Sequence, residues 1–223
     1  SDPQSNGIDP FTRAHPDFIP MRVWMSAFGE HRQSGGRLFE RLREKRGLNY
    51  GDYAYAEAFV QEPDTTHPLV NIARKTQSFS IWIRPVAHEH AMFALRAALY
   101  ELDKLLREGL TADEVARAGG FLDGFSRQWE AADLRRLGYA LDDVYYGTTG
   151  YLNDLRAHVP SLTAEKVNAA IRRHVKPNDL YIAIVTKDGK KLRDAILSGA
   201  PTPISYPTPK PKDVTDEDPK IAA

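Results

Sequence analysis

The chain has 223 residues, enough for one domain, or one domain with a tail, at roughly 150 residues per domain. Hydrophobic residues make up 42% and charged residues 27%, close to globular averages, so a sizeable core is expected and wholesale disorder is not. Thirty basic residues balance thirty acidic ones without a long basic run, which argues against nucleic acid or an anionic membrane as partner, and the lack of Cys excludes disulfides, cysteine nucleophiles and thiolate zinc sites.

No apolar run approaches the roughly 18 residues of a membrane span. Residues 1–12 (SDPQSNGIDPFT) are polar and turn-rich and read as a vector-derived tag, so they are set apart from the fold. With no signal peptide visible behind it, bacterial periplasmic and cytoplasmic locations are equally open. Residues 13–200 read as the folded unit. Residues 201–223 are Pro-rich, then charged, and read as an extended tail lying on the surface or disordered.

Asp17 to Glu30 has helical spacing, with Ile19, Val23 and Phe28 on one face and Pro20 in the first turn. After a break containing Gly35 and Gly36, Arg37 to Arg46 reads as a second helix. Tyr50 to Gln61 reads as a strand with Tyr53, Tyr55 and Phe59 on one parity. Pro63 and its acidic neighbours make a loop. Thr76 to Val86 is a second strand, alternating Phe79, Ile81 and Ile83 with Ser78 and Ser80.

Between Glu89 and Glu108 Met92, Leu95, Leu99, Leu102 and Leu106 make a helical stripe. Gly109 ends it, and Thr111 with Glu114 forms a capping box for a helix reaching Trp129. Asp133 to Tyr146 and Ser161 to Val175 are further helices, the latter capped by Thr163. Asp179 to Thr186 (DLYIAIVT) reads as a third strand and Lys190 to Ser198 as a short helix. Two strands followed by a helical block predict an α+β fold, a mostly antiparallel sheet covered by helices on one face. Three strands are few for so many helices, and a first strand is expected upstream of residue 13.

Several chemistries are missing. The sequence has no H-x-x-E-H or H-E-x-x-H, so no helical two-histidine zinc site can be built, and no G-x-S-x-G, Gly-rich phosphate loop or paired-carboxylate motif appears. His88 and His90 flank Glu89, but a spacing of two at a helix start turns the rings apart. His15, His31, His67, His158 and His174 have no carboxylate at ligand spacing.

The run Gly35 to Tyr50, GGRLFERLREKRGLNY, carries the positive signal. It resembles the opening of the C-terminal, zinc-free domain of pitrilysin/insulinase-family peptidases and mitochondrial processing peptidases, where a Gly-rich turn leads into R-L-F-x-x-L-R-x-x-R-G-L-x-Y. SFSIWIRPV, LLREGLTADEVARA, DLYIAIVT and a P-x-x-Y element at Pro203 and Tyr206 follow in the family's order. The resemblance spans about residues 15 to 207 and implies a LuxS/processing-peptidase-like half-domain for residues 13–200.

It also implies a function. In the resembling families an Arg and a Tyr seven positions apart reach a zinc site carried by the other half, and these fall on Arg43 and Tyr50. Tyr50 offers a phenolic O–H to a developing oxyanion, and Arg43 a fork of donors for peptide carbonyls or a carboxylate. Arg46, near the helix end where cations suit the dipole, reads as structural. The resemblance thus implies the non-catalytic half of a zinc metalloendopeptidase, inactive alone. It would hold no cofactor, would complete a proteolysis chamber and would bind an unfolded peptide. Zinc would sit in an N-terminal half or a partner subunit. The alternative is a degenerate relative acting only as scaffold or binding subunit.

Overall fold

The computed structural model describes residues 11–30, 33–55, 67–75 and 79–223. Most of the tag, His31, the strand beyond Tyr55 with Phe59, the Pro63 loop and the Thr76–Ser78 start of the second strand lie outside the described residues.

Helix α1 (Phe18–Gly29) is the axle of the fold. Pro20 sits in the first turn, where its missing N–H costs no helical bond. Only Ile19 escapes full burial, so the expected one-sided stripe is a helix buried all round, packed against the helices Ala112–Trp129 and Ala164–His174 and the first strand. Trp24, Phe28, Met21 and Met25 are sealed in the core, at roughly 1.5–3 kcal/mol of burial each. Gly29 permits the approach to the strand: a Cβ there would lie 3.0 Å from Leu38 Cδ1 and 3.1 Å from the Ala54 backbone nitrogen.

Residues Phe39–Glu44, inside the expected second helix, are wound as a π-helix, with Lys45 N–H donating to the Glu40 carbonyl at 3.0 Å. Leu38 and Leu42 anchor it in the core. Gly47, at φ +70°, closes it; its N–H donates to the Arg43 carbonyl at 2.7 Å and that of Leu48 to the Leu42 carbonyl at 3.0 Å. Strand β1 (Asn49–Tyr55) starts two residues later and pairs antiparallel with β2 (Ser80–Val86). Asp52 faces Ile83 and Ala54 faces Ile81, so this parity looks into the core. Tyr53 pairs with Trp82 and Gly51 with Arg84 on the other face.

Helix α2 (Ala91–Glu108) is turned relative to the expected stripe. Its buried side is Phe93, Ala94, Ala97, Ala98, Glu101, Leu102 and Leu105. Met92, Leu95, Leu99 and Leu106 are half-buried flanks. The alanines let the backbone close on the core, and the larger side chains fill the margins.

Helix α3 (Ala112–Trp129) begins with the Thr111–Glu114 capping box. Helices α4 (Asp133–Tyr146), α5 (Tyr151–His158) and α6 (Ala164–His174) follow, the last capped by Thr163; α5 had no counterpart in the sequence reading. Helix α7 (Gly189–Ser198) is capped by Asp188.

Two expectations fail. Residues 180–186 are not paired as a strand among the described residues, and Tyr181 and Val185 stand fully exposed. The described sheet therefore has two strands, and the fold is α+β with most of its residues in helices. The end of the chain is not a loose tail either. After a Pro-rich stretch it forms helix α8 (Lys212–Ala222), which docks on α2 and buries Val214, Ile221 and Ala222.

Candidate functional site

The segment Arg37–Arg46 carries Arg37, Arg41, Arg43, Lys45 and Arg46, and the structure divides these cations between three neighbours. Arg37 grips Glu114 at the start of α3 (Nε to Oε1 2.6 Å, Nη2 to Oε2 3.0 Å) and donates to the Gly109 carbonyl. Burial pushes the Glu114 carboxyl up, but the bonds from Arg37 and Thr111 outweigh it and hold the acid below its usual range. Arg46, its side chain wholly buried, pairs with Glu217 at 3.1 Å and Asp218 at 2.9 Å on α8. Lys45 reaches Asp213 at 2.6 Å, and Arg41 lies 3.8 Å from Asp213 and Glu217.

Arg43 points elsewhere. Its guanidinium lies between the rings of Phe39 and Tyr50, 4.7 and 4.6 Å from their centroids, and Nη1 donates to the Tyr50 carbonyl at 3.0 Å. Among the described residues it pairs with the exposed Glu44, at 3.8 Å. The wider π-turn and the Gly47 reversal bring the start of β1 back alongside the helix, which is what joins residues 43 and 50. Tyr50 is 69% exposed, so its phenol is presented to solvent. An exposed O–H donor and a half-exposed guanidinium therefore share one rim.

Beneath them lies a residue the sequence reading missed. Asp52 has the parity of Tyr50 and Ala54 and is 3% exposed. Oδ1 accepts from Asn49 Nδ2, while Oδ2 is buried without a hydrogen-bond partner. Burial pushes its carboxyl up to about 6, against smaller downward pulls from Asn49 and Arg43. An acid on the inward parity of a strand was the signal that could have found it.

His88 and His90 flank Glu89 in a short, unburied 3₁₀ turn, with His88 Nδ1 3.2 Å from Thr186 Oγ1. Among the described residues one group has metal-ligand geometry: His15, Asp17 and His174, whose ligand atoms lie within 4.8 Å. It does not fit a cation well. Arg173 occupies both Asp17 oxygens at 2.8 and 2.7 Å, His174 Nε2 lies 2.7 Å from Oδ2, and the Asp17 N–H donates to His15 Nδ1 at the positive end of α1. The Arg173 bonds first, with His174, hold Asp17 down near about 2, as an ion-paired carboxylate.

No protein-family model matches the chain. It is 27% identical over 176 residues to an uncharacterized zinc protease of Streptomyces coelicolor, covering 72% of this chain and 32% of that protein. Its fold is similar to the peptidase M16 inactive domain from Pseudomonas fluorescens, with a TM-score of 0.59 at 24% identity, over 75% of this chain and 36% of the other. It is also similar to the inactive peptidase domain from Bordetella parapertussis, with a TM-score of 0.50 at 17% identity, over 73% of this chain and 79% of that one. The chain spans about a third of the Streptomyces protein's length. Sequence and fold thus agree with the resemblance read from residues 35 to 50: the chain is similar in sequence to a zinc protease and shares its fold with inactive peptidase M16 domains.

Proposed function

We propose that this chain is the non-catalytic half of a zinc metalloendopeptidase, completing its proteolysis chamber and holding an unfolded peptide with Arg43 and Tyr50. The observation that carries the reading is the shared rim of these two side chains, one an exposed phenol and the other a half-exposed guanidinium that stacks on it. Zinc belongs to the other half, on the same polypeptide or a separate subunit; there it would polarise the scissile carbonyl and acidify its water. Tyr50 donates its O–H to the oxyanion as charge develops, and Arg43 holds a peptide carbonyl or carboxylate. The chain alone cleaves no peptide.

The test is steady-state kinetics on the chain reconstituted with its zinc-carrying half. Tyr50→Phe lowers turnover by roughly 100- to 1000-fold, the scale of one oxyanion donor. Arg43→Ala raises KM, because its contacts form in ground state and transition state alike. Turnover of Tyr50→Phe within about twofold of wild type, roughly 0.4 kcal/mol, would return the domain to a scaffold.

A further inference from the structure

We propose that helix α4 is a dimer interface: its exposed apolar face pairs antiparallel with the same face of a second copy of this chain, about a two-fold axis at the level of residue 139. The element is separate from those that bear Arg43 and Tyr50, so the proposal does not depend on their role.

One side of α4 is already occupied. Asp142 accepts from Arg13 Nη1 at 3.2 Å and from the Asn71 backbone N–H at 3.1 Å, and Tyr139 lies under the Arg13 guanidinium. Arg135 donates to the Pro68 carbonyl at 2.8 Å, and a Cβ on Gly138 would run into Val70. These contacts fix which side of the helix faces out.

The outward side is apolar. Leu134, Leu137, Leu141, Val144 and Tyr145 are 78, 56, 46, 82 and 51% exposed, and from Leu137 to Tyr145 every exposed residue, Ala140 included, is uncharged. The solvent side of a surface helix ordinarily carries the charges. Together the five side chains expose on the order of 600 Å², the upper end for the largest apolar patch of a monomer.

The order of the residues chooses the occupant. Positions 134, 137, 141 and 144 are spaced three, four and three apart, the seam of a helix pair, and the spacing reads the same in both directions. Antiparallel pairing centred on residue 139 sets Leu134 against Val144 and Leu137 against Leu141, each twice, as an isologous contact requires. The same register brings the Tyr145 phenol beside Asp133, whose side chain is 91% exposed and held by Arg136. Ala140, near the centre, leaves room for the two backbones to approach. Covering the patch on both copies removes about 1,200 Å², the lower edge of specific interfaces, so a dimer dissociating in the micromolar range is expected. An anionic membrane fits this face less well. Helices that lie on one carry Lys and Arg along the rim, whereas Arg136 here is already paired with Asp133.

Sedimentation equilibrium of the full chain between about 1 and 200 µM tests the proposal, a range that spans micromolar dissociation. A monomer–dimer equilibrium is expected. Leu137→Glu and Leu141→Lys should each raise its Kd at least about tenfold, as for a residue central to an interface, with the urea midpoint unchanged because both sites are on the surface. Mixed together, the two variants should recover association as a heterodimer. The antiparallel register sets the new carboxylate of one against the new ammonium of the other and keeps one Leu137–Leu141 pair intact. A wild-type chain that stays monomeric throughout overturns the proposal, as does a dimer indifferent to both substitutions. A dimer weakened by each but not recovered by mixing overturns the two-fold register. If the chain alone is monomeric and Leu137→Glu instead weakens assembly with the zinc-carrying half, that half and not a second copy covers α4.

Discussion

Arg46 Nε donates to Asp218 Oδ1 at 2.9 Å, joining residues 172 positions apart and fastening the last helix to the segment that carries Arg43. The same guanidinium reaches Glu217, which Lys104 also holds at 2.9 Å, and Tyr206 donates its O–H to the second oxygen of Asp218. Removing the arginine leaves the partly enclosed Asp218 with the Tyr206 hydroxyl and Glu217 with Lys104 and the more distant Arg41. Arg46→Ala is therefore expected to cost about 3 kcal/mol, the lower end for breaking a buried pair from one side. Urea denaturation checks the size. Faster proteolysis in the 199–211 connection checks that α8 is what comes loose.

That helix shows where the sequence stopped being legible. Residues 212–222 contain Pro219 and six charged side chains, and nothing in their order outweighs the Pro-rich stretch before them. They are helical because Arg46, Lys45 and Lys104 wait on other elements, which no local pattern records. The opposite error occurred at 180–186, where an apolar, β-branched run announced a strand but strand formation depends on a neighbour. On α2 the leucine stripe points to a core face that holds only Leu102 of it, because Ala94, Ala97 and Ala98 allow the closer approach. The Arg43–Tyr50 spacing was legible because both residues and the Gly47 reversal lie within one short run. Asp52 was not, because its character comes from burial by elements distant in sequence.

The start of α3 ties local and long-range order together. Glu114 completes the capping box with Thr111 and receives both arms of Arg37. Thr111→Ala should cost about 1 kcal/mol, an ordinary cap. Glu114→Ala should cost more, because it also strands a mostly buried guanidinium. A double-mutant cycle pairing Arg37→Ala with Glu114→Ala should show coupling of roughly 1–3 kcal/mol; additive losses would mean that the two residues act separately.

The run 180–186 presents Tyr181 and Val185 to solvent. An exposed apolar run that is not paired as a strand among the described residues invites strand pairing between molecules. Replacing both residues with Lys should raise the concentration at which the chain begins to scatter light. Stability should change by no more than about 0.5 kcal/mol per site, as for other surface positions. A large drop in the urea midpoint would mean that this segment is buried in solution.

The pH dependence of stability offers a check on Asp52. Its carboxyl has the ordinary value of 3.8 when unfolded and about 6 when folded, so between these values the folded chain binds more protons. Stability contributed by the neutral acid is therefore present at low pH and is lost as pH rises from about 4 through 6. The difference of about two units corresponds to a penalty on the order of 3 kcal/mol at pH 7 and above. Asp52→Asn keeps the shape and the acceptor for Asn49 but carries no charge. It should be close to neutral at pH 4 and stabilising at pH 7.5, with the gap opening between those pH values and then staying constant. Urea unfolding of both proteins at a series of pH values measures that gap. A gap of one size at every pH would show that Asp52 titrates as an ordinary surface acid, and a gap that opens as pH falls would mean its charged form is the stabilised one.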